Sequence, residues 1–150
     1  MREPLLISAC LLGVNCKYNG GNNALAAKII AALEERYCLV PVCPERDGGL
    51  PTPRVPCERQ GDRVLTRTGE DVTEAFRRGA DLALEAAREK GCRRALLKER
   101  SPSCGSDRIY DGSFTGTMIP GDGVAAQTLK ENGLAIIGET EVNSLLREHE

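Results

Sequence analysis

Seven cysteines and a single histidine carry much of the chemistry open to this chain. Three of the cysteines share a context. Cys10 follows the apolar run Leu5-Leu6-Ile7, Cys43 follows Leu39-Val40-Pro41-Val42, and Cys104 comes a few residues after Ala95-Leu96-Leu97. Each run reads as a buried strand, and each cysteine falls in a turn-rich segment beyond it. In an open parallel sheet, ligands bind in the crevice outside the carboxyl ends of the strands. Three thiols arriving there from distant parts of the chain point to a shared soft-metal site. Structural zinc is usually marked by paired C-x₂-C spacing, which does not occur here. Three single thiolates without a nearby histidine suit an iron–sulfur cluster better, since His149 is the penultimate residue. A cubane held by three thiolates leaves one iron without a protein ligand. That iron is a Lewis acid with affinity for soft donors such as sulfur.

Other side chains near these cysteines have both a chemical and a plain reading. Glu45 lies two residues after Cys43. It is either a solvated loop charge or a general acid or base in a secluded pocket. Ser101 and Ser103 precede Cys104 in a Ser/Pro loop, which is either an ordinary loop or one that offers their hydroxyls to a substrate or to cluster sulfur. Cys16 is close to Cys10 and is a candidate fourth ligand or sulfur-handling thiol. Cys38 and Cys92 are expected to pack, and Cys57 has no assigned role. A phosphatase-like loop from Cys10 fails because five residues lead to Cys16-Lys17 and not to an arginine. Gly121-Asp122-Gly123-Val124-Ala125-Ala126 matches G-x-G-x-x-A, but no strand directly precedes it. Asp122 as a helix cap is the plainer account. Lys17, Arg54 and Arg108 are candidate phosphate contacts or simply solvated charges.

These residues need a scaffold. The pattern alternates strand and helix: a strand over Leu5–Ala9, then a helix carrying Leu25, Ile29, Ile30 and Leu33 with Asn22 or Asn23 as cap. A second strand over Tyr37–Val42 follows. The segment with Pro44, Gly48, Gly49, Pro51, Pro53 and Pro56 is expected to lack regular structure and to be functional. Val64-Leu65-Thr66 suggests a small edge strand. Thr68 to Asp71 resembles the start of a helix bearing Val72, Ala75, Phe76, Ala80, Ala83 and Ala87, closed by Gly91. A third strand covers Arg93–Lys98, Arg100–Pro120 reads as a loop, and a helix lies near Asp122–Asn132. A fourth strand at Leu134–Ile137 and a short helix complete the chain. The expectation is one α/β domain over 1–150, three-layered with a mainly parallel sheet, Rossmann/flavodoxin-like.

Bulk properties narrow the function further. The 150 residues can bury a core as one domain. A net charge of −2 gives no general bias toward nucleic acid. Aromatics at 3% argue against a stacking platform for single strands, while leaving room for a small stacking pocket. No stretch is long and apolar enough to span a membrane, and the N-terminus lacks a signal-peptide core. A cytoplasmic location is expected. Stable disulfides are rare there, which favours metal ligation or thiol chemistry for part of the cysteines.

Three blocks resemble the thiouracil desulfidase (TudS)-like family, long called a domain of unknown function. They are Ser8-Ala9-Cys10-Leu11-Leu12-Gly13 with Lys17-Tyr18-Asn19-Gly20, Pro41-Val42-Cys43-Pro44-Glu45 continuing to Gly48-Gly49-Leu50-Pro51-Thr52-Pro53-Arg54, and Leu97-Lys98-Glu99-Arg100-Ser101-Pro102-Ser103-Cys104-Gly105. Their order and spacing match over nearly the whole chain. The resemblance implies a [4Fe-4S] cluster on Cys10, Cys43 and Cys104. It implies non-redox desulfuration of thiouracil or a related thiolated pyrimidine, a small molecule, with uracil-type product and sulfide released. Glu45 matches the residue that manages protons, and Ser101 matches a polar residue at the substrate. Asn19 departs from the aspartate often found at that position. A different class of function, a sulfur or metal carrier without catalysis, would use the same cysteines and make Glu45 and Ser101 dispensable. A structural zinc domain and a purely packing role for the thiols are the remaining alternatives.

Overall fold

Short apolar runs and amphipathic helices alternate along the chain, and they assemble as layers. The computed structural model describes residues 2–147, so His149 lies outside the described residues. In chain order the elements are β1 (Glu3–Ser8), α1 (Ala27–Arg36), β2 (Tyr37–Val42), α2 (Pro44–Asp47), β3 (Cys57–Gln60), β4 (Arg63–Thr66) and α3 (Thr73–Lys90). There follow β5 (Arg94–Leu97), β6 (Arg108–Tyr110), β7 (Met118–Pro120), α4 (Val124–Glu131), β8 (Ala135–Gly138) and α5 (Val142–Arg147). The central sheet has the order β2-β1-β5-β8, with all pairs parallel.

Alternation along β1 divides the core. Leu5 and Ile7 point to one face and pack with Leu33 of α1 and with Val142 and Leu145 of α5. Leu6 points to the other and packs with Ala83, Leu84 and Ala87 of α3 and with Ala126 and Leu129 of α4. The architecture is therefore α/β, a mainly parallel sheet with helices on both faces. The chain leaves β1 for β2 on one side and later returns to pair β5 on the other. The order thus reverses between β1 and β5, and the loops after these two strands open at that switch point.

The excursions outside the sheet differ from the sequence expectation. Val64-Leu65-Thr66 belongs to β4, which pairs antiparallel with β3 in a separate hairpin and does not edge the main sheet. Arg100–Pro120 contains the β6–β7 hairpin, whose strands are too short to show alternation. Pro44 does not exclude regular structure but opens the one-turn α2, as proline can at a first helical position. Helix α3 starts at Thr73, not in Thr68–Asp71. Asp71 Oδ1 accepts from the Thr73 backbone N–H at 2.9 Å and from its hydroxyl at 2.6 Å. Neither Asn22 nor Asn23 caps α1, which begins at Ala27; Asn22 instead accepts from the Ala24 N–H in a turn. Gly123, not Asp122, is the N-cap of α4. Ala9 has left the strand for a 3₁₀ turn over Ala9–Leu12. Cys92 is buried as expected, but Cys38 lies exposed on β2, at the sheet edge.

One close approach positions the site. Helix α3 packs against α2 through Gly79, where a Cβ would overlap the Pro44 carbonyl. Only glycine lets the two helices meet at this separation, and α2 is the turn that presents Cys43 and Glu45.

Candidate active site

The loops after β1, β2 and β5 converge on a cleft of about 540 Å³ at the carboxyl end of the sheet. Cys10, Cys43 and Cys104 all line it, as do Glu45, Ser101 and Ser103. Each cysteine is held by a different local device. Cys10 sits in the 3₁₀ turn after β1, and its carbonyl accepts from the Asn23 N–H at 2.9 Å. Cys43 is the N-cap of α2, where its N–H donates to Asp47 Oδ2 at 3.0 Å. Cys104 follows β5, and its N–H donates to Ser101 Oγ at 3.1 Å. At the sheet end, the Lys98 N–H donates to Ser8 Oγ at 2.9 Å, which ties β5 to β1 below the cleft.

Glu45 is the centre of the polar network. Its Oε1 lies 3.1 Å from Arg54 Nε, and its Oε2 lies 2.8 Å from Ser103 Oγ and 3.3 Å from Ser101 Oγ. The two hydroxyls are 2.9 Å apart. A hydroxyl has one proton. The shortest arrangement therefore has Ser103 donating to Glu45 and Ser101 donating to Ser103. Ser101 Oγ also accepts from the backbone N–H groups of Ser103 and Cys104, both at 3.1 Å. In that arrangement Ser103 and Arg54 donate directly to Glu45, and Ser101 acts on it through Ser103.

Arg54 is the residue whose place sequence reasoning missed, while Ser103, expected to offer its hydroxyl to a substrate or to cluster sulfur, has Glu45 as an unforeseen partner. The Arg54 side chain is only 6% exposed, against the expectation of a solvated or phosphate-facing charge. Besides Glu45 it donates to the Cys16 carbonyl at 3.0 Å, the Pro51 carbonyl at 3.2 Å and Thr52 Oγ1 at 3.1 Å. One guanidinium fork thus joins the loop after β1, the proline-rich segment and α2. The position of Arg54 directly after the Pro51-Thr52-Pro53 run was the available signal. Arg108 does not line the cleft, whereas Lys17 does.

Burial dominates the electrostatics of the thiols. It pushes Cys104 up to about 12. Cys16 is pushed to about 12 by burial first and then by its neighbour Cys43. Burial also raises Cys10, and it takes Cys57 to about 11. Such thiols stay protonated in neutral water unless a cationic centre displaces the protons. Cys16 packs with Ala9 and Cys43 at the base of the cleft, and Cys57 lines its side. Among the described residues, no three His, Cys, Asp or Glu side chains converge as ligands to a single metal ion. A larger hollow of about 620 Å³ lies where β4 meets α3. It has no thiol, and Arg63 and Asp71 in its wall lie 3.9 Å apart as an ion pair.

The family model described as 2-thiouracil desulfurase matches residues 5–141. The uncharacterized protein YbbK of Bacillus subtilis (strain 168) is 41% identical over 152 residues, covering 95% of this chain and 99% of that protein. A solved structure described as the [4Fe-4S]-dependent thiouracil desulfidase TudS is 45% identical, with a TM-score of 0.90 over 96% of this chain and 95% of that one. With so much of its length matched in sequence and in fold, the chain belongs to the 2-thiouracil desulfurase family.

Proposed function

We propose that this protein is a [4Fe-4S]-dependent desulfidase that removes sulfur from thiouracil or a related thiolated pyrimidine. The observation that carries the reading is the convergence of Cys10, Cys43 and Cys104 on the cleft that also holds Glu45. The donor set fits the cluster. It consists of thiols, and they come from three separate loops. In a cubane each thiolate serves a different iron, so three separate loops can each supply one. Zinc would ask four donors to converge on one point.

Bound at these thiolates, a [4Fe-4S] cluster supplies one iron without a protein ligand, a Lewis acid for the sulfur of a thiocarbonyl. The chain's own residues handle the water and its protons. The reaction is C=S plus H₂O giving C=O plus H₂S. A carbon–sulfur bond breaks, a carbon–oxygen bond forms, and carbon keeps its oxidation state, so no external electron carrier is required. Glu45 is the group to take a proton from attacking water and return it to departing sulfur. Ser103 and Ser101 orient its Oε2, and Arg54 fixes its Oε1. Cys16 and Cys57 are not needed for this chemistry.

The test is anaerobic reconstitution with iron and sulfide, followed by addition of 2-thiouracil. A broad visible absorption, loss of the thiouracil band and appearance of uracil are expected. Cys104→Ala is expected to lose both the absorption and the turnover. A fully loaded protein that leaves every thiopyrimidine intact would remove the enzymatic reading and favour a sulfur carrier.

A further inference from the structure

Aromatic residues are scarce in this chain, with two Phe, three Tyr and no Trp. Tyr37 and Phe76 are buried in the core. The other three, Tyr18, Tyr110 and Phe114, all line the cleft that holds the thiols. The interior of the sheet layers therefore uses two of the five rings, and the cleft receives the rest.

Phe114 stands out among them. Its φ is +59°, a left-handed backbone that a bulky aromatic residue rarely adopts. Among the described residues, the other two non-glycine residues with positive φ are Arg100 and Asp107, and Arg100 also lines the cleft. Strain of this kind persists only where the surroundings over-determine it, and it gathers at functional sites. The surroundings here do so. Glu58 Oε1 accepts from the Gly112 N–H at 3.0 Å and from the Phe114 N–H at 3.1 Å. Gln60 Nε2 donates to the Gly112 carbonyl at 2.8 Å, and a Cβ on Gly112 would overlap the Gln60 side chain. Strand β3 thus clamps the tip of the β6–β7 hairpin. The Arg67 guanidinium lies over the Phe114 ring, 5.7 Å from its centroid. Arg67 lines the same cleft, so the ring and the cation stacked on it both border the space a substrate would enter.

We infer that Phe114, backed by Arg67 and held by Glu58, is the surface on which the planar ring of the substrate stacks. This rests on the proposed function for the identity of the ring, a pyrimidine, and makes Phe114 a specificity determinant for planar heteroaromatic thiocarbonyls. A packing role does not explain the residue. Phe114 is half-buried at a hairpin tip, and its backbone would be relaxed by glycine.

The test compares wild type, Phe114→Gly and Phe114→Tyr in the iron–sulfur-loaded state, under anaerobic conditions. Uracil, which cannot be desulfurated, reports binding by calorimetry. Phe114→Gly is expected to bind uracil about tenfold or more weakly, within the range that base–aromatic stacking supplies. Its thermal midpoint should be no lower than wild type, because the strain is removed. Phe114→Tyr should restore affinity. With 2-thiouracil the glycine variant should raise KM by a similar factor and leave kcat within about threefold. Unaltered uracil binding in Phe114→Gly overturns the inference, as does a glycine variant that loses stability and affinity together without rescue by tyrosine. Wild type that binds neither uracil nor 2-thiouracil overturns it as well. Wild type that binds uracil through Phe114 yet never desulfurates 2-thiouracil would sink the proposed reaction and leave the stacking surface standing.

Discussion

Arg54 Nε lies 3.1 Å from Glu45 Oε1, with the two side chains only 6% and 14% exposed. A buried ion pair contributes little net stability against an apolar substitute, because both charges must leave water. This one has another effect. It fixes the orientation of the carboxylate that the Ser101–Ser103 loop addresses, and it does so from a loop nine residues further along the chain.

The first prediction concerns that pair. Arg54→Met leaves Glu45 without its counter-charge and removes the guanidinium from three backbone or hydroxyl acceptors. A loss of about 3–5 kcal/mol in unfolding free energy is expected. Arg54→Lys should recover part of it at most, since an ammonium cannot reproduce the fork. Denaturant unfolding of the unloaded protein measures both. Equal stability of Arg54→Met and wild type would show that the pair does not hold this loop together.

The two serines should separate in their effects. Ser103 makes the shorter contact to Glu45, at 2.8 Å, while Ser101 accepts two backbone N–H groups of the Cys104 loop. Ser103→Ala is therefore expected to keep the cluster and lower kcat by about 10–100-fold, the worth of one hydrogen bond to a charged group. Ser101→Ala leaves buried donors unpaired and should cost about 1–3 kcal/mol of stability, with weaker iron retention. Iron content and kcat for each variant distinguish the roles. If Ser103→Ala turns over normally, Glu45 does not need its hydroxyl.

The sequence made the sheet legible because its four strands contain short apolar runs separated by helical and turn-rich segments. It also made the cysteine placement legible, since Cys10, Cys43 and Cys104 each follow such a run, and the structure brings all three to one cleft. The hairpins were not legible. Strands such as Arg108–Tyr110 have three residues, too few for an alternating pattern. The network around Glu45 was hidden for a different reason. Ser103 is 58 residues away in the chain, and polar side chains in irregular loops follow no period. Only the packing of α2 on α3 through Gly79, together with the turn after β5, brings them together. Phe114 was hidden too, although the low aromatic content made every ring outside the core conspicuous in retrospect.

The entry to α4 should respond to acid. Asp122 accepts from the Asp107 N–H at 2.8 Å and from Lys130 Nζ at 2.8 Å. Burial works against its charge, but these donors win, and its carboxyl is held below the usual range. Lys130 is likewise raised despite burial, through hydrogen bonds to Asp122 and Asp107. A depressed carboxyl contributes stability above its unfolded value of roughly 3.9, lost as pH falls through the folded value. The raised lysine contributes below its unfolded value of roughly 10.4, lost as pH rises through the folded one. Both contributions are present between these limits. Asp122→Asn should therefore destabilise by about 1 kcal/mol near pH 7 and much less at pH 3. Unfolding free energies across this range check it; a constant difference would mean that the charge is not involved.

The last prediction separates ligands from bystanders among the seven thiols. Cys10→Ala and Cys43→Ala should lose most of the reconstituted iron. Cys16→Ala and Cys57→Ala should retain it, although both residues line the same cleft. Alkylation gives a second readout, because the thiolate is the reactive form. Cys38 is exposed on β2 and should be modified at the same rate with and without the cluster. Cys10 is half-buried and should become protected on loading. Cys16 and Cys104, each raised to about 12, should react slowly in both states. If iron is lost from Cys16→Ala and kept in Cys10→Ala, the cluster is held from the base of the cleft next to Cys43 and not from the end of β1. The open iron would then face a different wall, and the role given to Glu45 would fall with that change.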